Sequence, residues 1–172
     1  MIKKFIPNIL TFINLSFGVL SIIEIMNKDF FMAAIFIIIA ALIDRYDGRI
    51  ARLLNVSSEL GKELDSLADL VSFGVAPALL TFVKYNFSNF DFKIAGIVFL
   101  LFYIICGCYR LAKYNLNDFD GIFNGIPITI AGSLLALFAL SVPSNNFSIF
   151  LSMLLIIFLA YLMVSKFKFK KF

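Results

Sequence analysis

A bundle of six transmembrane helices is the fold class this chain predicts, on three observations. Hydrophobic residues fill 62% of its 172 positions, with a mean hydropathy of +0.99, against roughly 45–50% apolar residues in a soluble domain. They gather into six runs, each near the roughly 17–25 residues that cross a bilayer as a helix. Lys and Arg fall mostly on one side of the alternation those runs impose. A helix satisfies its own backbone inside lipid and an open sheet does not, so the bundle is all-α.

The first run is Ile9–Met26. Its start, "MIKKFIPNILTFINLSFGVLSII", has the lysines and apolar run of a signal peptide but no clean small-residue cleavage site, and reads as a retained span. The second and third runs, Phe30–Leu54 and Leu60–Val83, are apolar for only part of their length. Their charged ends face each other across "NVSSEL", where Ser57 and Ser58 are expected to cap the third helix. The remaining runs are Phe92–Tyr114, Ile126–Val142 and Phe147–Val164. With no repeat or low-complexity stretch, residues 1–172 read as one membrane domain without a nucleic-acid partner. Cys106 and Cys108 read as small residues within a span. The Phe-rich stripes read as lipid-facing or packing surface.

With a cytoplasmic N-terminus, the inner side carries twelve of the fifteen Lys and Arg residues. The outer side carries Lys28, Lys84 and Lys93. This bias expects both termini at the cytoplasmic face. The tail "KFKFKKF" fits either an anionic-lipid contact or a simple topology anchor.

Six of the eleven carboxylates lie between Asp44 and Asp69. On a helix, Asp44, Asp47, Gly48, Ala51 and Arg52 share one face, and Gly61, Asp65, Asp69 and Ser72 share another. Helices joined by a short turn pack antiparallel, so the two pairs of Asp residues converge. Four carboxylates in a partly apolar site cannot all stay ionised without cations. The chain has no His, and oxygen ligands suit Mg²⁺, Mn²⁺ or Ca²⁺ rather than zinc. Two divalent ions held by four Asp would clamp a diphosphate for in-line displacement. Gly48 and Ala51 leave room for a nucleotide, and Arg52 is the natural phosphate partner. A proton or metal-ion pathway is the rival, since transporters also bury carboxylates. It does not account for Gly48, Ala51 and Arg52 in register with the acids.

The pattern Asp44-x2-Asp47-Gly48-x2-Ala51-Arg52-x8-Gly61-x3-Asp65-x3-Asp69 resembles the signature of the CDP-alcohol phosphotransferases at every fixed position and spacing. "NVSSELGKELDSLADLVSFGVAPALL", "IPNILTFINLSFGVLSI", "YRLAKYN" and "GIPITIAG" are similar to the phosphatidylserine synthases of that superfamily. The resemblance covers most of the chain up to about Gly132, and the last span carries no motif.

The resemblance implies six spans in a homodimer, with a polar cavity open to the cytoplasm. It implies a divalent-metal centre, Mg²⁺ or Mn²⁺ and two ions, held by Asp44, Asp47, Asp65 and Asp69. Asp69 would also be the base for the acceptor hydroxyl, and Gly48, Ala51, Arg52 and Gly61 would line the CDP site. The implied reaction moves a phosphatidyl group from CDP-diacylglycerol, or an archaetidyl group from CDP-archaeol, to L-serine, releasing CMP. Glycerol phosphate or inositol phosphate is the alternative acceptor, and would want a denser basic pocket than Arg110 and Lys113 offer.

Arg110 and Lys113 end the fourth span and read either as topology charges or as captors of the serine carboxylate or a lipid phosphate. Asn8, Thr11 and Asn14 form a polar stripe on the first span. It serves either N-capping and interhelical hydrogen bonds, or contact of Asn8 and Thr11 with the nucleotide. Ser72, on the Asp65 face, is a candidate lining of the acceptor pocket. Glu63 lies off that face and outside the metal set.

Overall fold

A computed structural model describes residues 5–53, 58–87, 93–116, 122–165 and 168–170. Helix α1 (Phe5–Met26) turns at Asn27–Asp29 into α2 (Phe30–Leu53). Lys28 takes a positive φ of 62° in that turn, and the Met32 amide donates to the Asp29 carboxylate at 3.0 Å. The two helices pack through small residues: Ala33, Ala34 and Ala40 are fully buried, and the Ser21 hydroxyl donates to the Ala33 carbonyl at 2.9 Å.

The predicted third span is one continuous helical unit in three parts. These are α3 (Glu59–Asp69), a π-helical segment (Leu70–Val75) and α4 (Ala76–Lys84). Ser58 caps it, its hydroxyl accepting from the Gly61 amide at 3.0 Å, while Ser57 lies outside the described residues. In the π segment the Ala76 amide reaches back five residues to the Val71 carbonyl. Pro77 has no N–H to offer the Phe73 carbonyl four residues before it. The Tyr103 hydroxyl, from α5, donates to that carbonyl at 3.1 Å. In lipid a carbonyl left without a donor is costly, so the proline and the tyrosine belong to one solution.

This unit is the axis of the bundle. It is 56% buried over its apolar window, against 28% for α1 and α5 (Lys93–Leu116) and 39% for α7 (Asn146–Val164). It packs against α1, α2, α5 and α6 (Ile128–Ser141). The Gly132 backbone lies so close that a Cβ there would stand 2.7 Å from the Phe73 carbonyl oxygen. At the opposite end from the acidic stretch, Lys84 and the Tyr85 hydroxyl cap α6. Lys84 donates to the Ala139 and Val142 carbonyls, and Tyr85 to Val142 at 3.0 Å.

Among the described residues, four stretches are long and apolar enough to cross a membrane: Asn8–Met26, Glu59–Lys84, Lys93–Leu116 and Asn146–Val164. Helix α2 turns polar from Asp44 onward. Helix α6 has 14 residues, about 21 Å at the helical rise, less than the roughly 30 Å hydrocarbon core. The outer faces of α5 and α7 show Ile94, Val98, Ile105, Phe147, Phe150 and Phe158 exposed. Such continuous apolar faces belong in lipid, and the chain is a multi-pass helical membrane protein.

One departure from an all-helical chain is a small ribbon. Strand β1 (Ile122–Asn124) pairs antiparallel with β2 (Lys168–Lys170), Phe123 opposite Phe169. The Lys–Phe alternation of the tail has the period of a strand rather than a helix. Beside the ribbon, Gly125 takes φ +75°, and a Cβ there would meet the Met163 carbonyl oxygen at 2.5 Å. The Ile126 amide donates to the Leu162 carbonyl at 3.2 Å. Gly125→Ala should therefore destabilise the protein by about 1–3 kcal/mol through strain alone. Thermal unfolding in detergent would show this, and an unchanged melting temperature would refute it.

Candidate active site

The acidic residues converge from two helices. Asp44 comes from α2, and Asp65 and Asp69 from one face of α3. One carboxylate oxygen of each lies within 4.8 Å of the other two. Asp69 is buried and Asp44 and Asp65 are half-buried. Asp47, Ala51 and Arg52 lie on the last turns of α2, where side chains fall outside the described residues.

Two polar side chains from other helices hold the acids. The Asn14 amide nitrogen on α1 donates to Asp69 at 3.2 Å. The Thr129 hydroxyl on α6 donates to Asp44 at 3.2 Å. Arg110 on α5 is half-buried and close enough to Asp69 for their charges to interact. Asn14 Oδ1 and Arg110 Nε are buried without a hydrogen-bond partner among the described residues.

This donor set fits a divalent cation. Three hard carboxylate oxygens face one another in a partly dry site, where their mutual repulsion is strong. Oxygen ligands at such spacing suit Mg²⁺, Mn²⁺ or Ca²⁺. Arg110 supplies one nearby positive charge against three negative ones. The preorganisation by Asn14 and Thr129 is the outer-shell support that ligand carboxylates need.

The other predicted residues divide. Gly48 is exposed, and a Cβ there would have no described atom within 4 Å. Asn8 and Gly61 are neighbours, with Asn8 Oδ1 3.3 Å from where a Gly61 Cβ would stand. Thr11 is buried on the α1 face. Lys113 is exposed. Ser72 is fully buried, its hydroxyl donating to the Asn14 carbonyl at 3.1 Å, and it packs on Gly18. That is a helix–helix contact supporting Asn14, where an acceptor-pocket lining was expected. Glu63 accepts from the Asn115 amide at 3.1 Å, away from the three acids.

Thr129 was missed as a partner of the acids, and Asn14 was read only as part of a stripe. The signal for Asn14 was its place in that stripe. For Thr129 there was only its place in "GIPITIAG", since helical periodicity does not say which acid a distant hydroxyl will meet.

Comparison with known proteins agrees with this geometry. The family model described as CDP-alcohol phosphatidyltransferase matches residues 4–166. A Bacillus subtilis protein named CDP-diacylglycerol–serine O-phosphatidyltransferase is 38% identical over 170 residues, covering 98% of this chain and 92% of that protein. A Helicobacter pylori protein of the same name is 36% identical over 177 residues, covering 96% and 72%. A Methanothermobacter thermautotrophicus protein named archaetidylserine synthase is 34% identical over 140 residues, covering 79% and 58%. A match that runs through all the bilayer-length helices and the converging Asp44, Asp65 and Asp69 has one reading: the chain belongs to the CDP-alcohol phosphatidyltransferase family.

Proposed function

We propose that this protein transfers the phosphatidyl group of CDP-diacylglycerol to the hydroxyl of L-serine, giving phosphatidylserine and CMP. The observation that carries the reading is the convergence of Asp44, Asp65 and Asp69 beside Arg110, in a chain whose near-full-length relatives bear that activity's name. Family membership sets aside the ion-pathway reading.

Asp44, Asp65 and Asp69 would hold the divalent metal, Mg²⁺ or Mn²⁺, with Asp47 as the fourth acid and two ions as the expected complement. The metal would neutralise the diphosphate and the charge that develops on the leaving CMP. The chain's own residues do the rest. Gly48, Ala51 and Gly61 leave room for the nucleotide, with Asn8 and Thr11 beside it and Arg52 on its phosphate. Asn14 holds Asp69 in one orientation, and Asp69 accepts the proton of the serine hydroxyl. The serine oxygen bonds to the phosphorus that carries diacylglycerol, and the bond from that phosphorus to the CMP oxygen breaks. Arg110, whose Nε has no hydrogen-bond partner among the described residues, suits the serine carboxylate better than a lone lysine would. Positioning and charge neutralisation supply most of the rate.

Six spans, cytoplasmic termini, a cavity open to the cytoplasm and a homodimer complete the proposal. The twelve-to-three distribution of Lys and Arg supports the orientation. An apolar groove would take archaeol chains as readily as diacylglycerol. A phosphorylated acceptor, glycerol phosphate or inositol phosphate, is the second reading within the family.

The test is CMP release by purified protein given CDP-diacylglycerol, Mg²⁺ or Mn²⁺, and one acceptor at a time. Release with serine, abolished by chelation, is the expected result. Release only with glycerol 3-phosphate or inositol phosphate would overturn the choice of serine.

A further inference from the structure

Among the described residues, two buried side-chain polar atoms have no hydrogen-bond partner: Asn14 Oδ1 and Arg110 Nε. A buried polar atom without a partner is costly, and in a folded protein it calls for a cause. These two are not scattered, for both residues adjoin Asp69. The Asn14 amide nitrogen donates to the Asp69 carboxylate at 3.2 Å. The Arg110 guanidinium is near enough to Asp69 for their charges to interact. One residue comes from α1 and the other from α5.

The two atoms also differ in kind. An ionised carboxylate only accepts, so Asn14 must turn its nitrogen to Asp69, which leaves the amide oxygen as a free acceptor. Asn14 is held in place: it is 1% exposed, and its backbone carbonyl accepts from the Ser72 hydroxyl at 3.1 Å. Arg110 Nε is a donor. Asp69 therefore stands beside one unmet acceptor and one unmet donor. Asp44, Asp65 and Arg110 around it are half-buried, so the cluster is open to a small solute on their side.

A zwitterion answers both atoms, since its ammonium donates and its carboxylate accepts. In serine these two groups share the carbon next to the one that bears the hydroxyl. With that hydroxyl at Asp69, both ionic groups reach the side chains that adjoin Asp69. We propose that Asn14 Oδ1 binds the α-ammonium group of the acceptor, so that Asn14 and Arg110 together select an amino acid. The inference rests on the proposed reaction and adds to it the group that reads the amine. Asn14 then has two tasks: its nitrogen orients Asp69, and its oxygen recognises the acceptor.

The test is equilibrium dialysis of labelled L-serine against the full chain in detergent with Mn²⁺ and CMP, where no turnover is needed. Unlabelled serine, 3-hydroxypropionate, which lacks the ammonium, and ethanolamine, which lacks the carboxylate, would compete. An ammonium held by a charge-assisted hydrogen bond predicts competition by 3-hydroxypropionate roughly 10- to 100-fold weaker than by serine. In N14L, or in N14A should N14L not fold, serine should bind more weakly and that gap should shrink toward equality. R110Q should keep this gap and narrow the one between serine and ethanolamine. Equal competition by serine and 3-hydroxypropionate in the unmodified protein would overturn the proposal, and that arm needs no variant. So would a gap as wide in the Asn14 variants, because Asn14 would then only hold Asp69, a role that serves every acceptor alike. Serine failing to bind the unmodified protein would overturn the choice of serine in the proposed reaction as well. Serine binding without a gap would overturn this inference alone.

Discussion

Asp69→Asn is expected to abolish turnover while leaving the protein folded and able to bind CDP-lipid. Asp69 is the buried member of the acidic group, 8% exposed, and accepts a hydrogen bond from Asn14 at 3.2 Å. An asparagine there keeps a carbonyl oxygen for Asn14 and removes one of three crowded negative charges. Its new N–H groups face Asp44 and Asp65, which are good acceptors. Stability should therefore hold or rise. What the substitution deletes is the ability to take a proton, and a positioned general base contributes typically about 10²–10⁴-fold. CMP release at saturating metal, read beside CDP-lipid binding, separates the two effects. Turnover within a few-fold of the unmodified enzyme would move the base role to another carboxylate, with Asp65 the nearest alternative.

Gly48→Leu should give the opposite dissociation of stability from binding. A Cβ at Gly48 would have no described atom within 4 Å, and the residue is exposed on α2. Leucine is the better helix former by close to 1 kcal/mol, so the melting temperature should stay level or rise. The open space beside Gly48 is where the nucleotide is proposed to lie against the helix. Filling such a space typically costs about 1–3 kcal/mol, roughly a 5- to 150-fold rise in KM for CDP-lipid. A variant with unchanged KM would mean that the nucleotide lies elsewhere. Gly132 is the contrasting case, since a Cβ there would press on the Phe73 backbone. That glycine serves helix packing and Gly48 does not.

The same difference runs through the whole site. The four-residue spacing of Asp65 and Asp69 puts both acids on one helix face whatever the rest of the chain does. The short connection to α2 forces Asp44 toward them, so the carboxylate cluster was readable without coordinates. The Ser58 cap and the hairpin of α1 and α2 were equally local. The partners were not readable: Asn14 reaches Asp69 from α1, and Thr129 reaches Asp44 from α6. Ser72 shares the Asp65 face on an ideal wheel, yet it lies in the π segment, turned into the contact with α1.

What the sequence by itself determined is what periodicity and solvent impose: an apolar helical chain that crosses the membrane more than once, and the acids gathered at one end of its helices. Each depends on residues near one another along the chain, where helical geometry turns spacing into direction. Tertiary structure alone decided three things: which side chains hold the acids, where the axial helix widens into a π turn, and that the tail pairs with β1. The π turn shows the reason. Pro77 leaves the Phe73 carbonyl without its helical donor, and the hydroxyl that replaces it comes from Tyr103 on another helix. A backbone group inside a membrane must find a partner, but only packing decides whose it is.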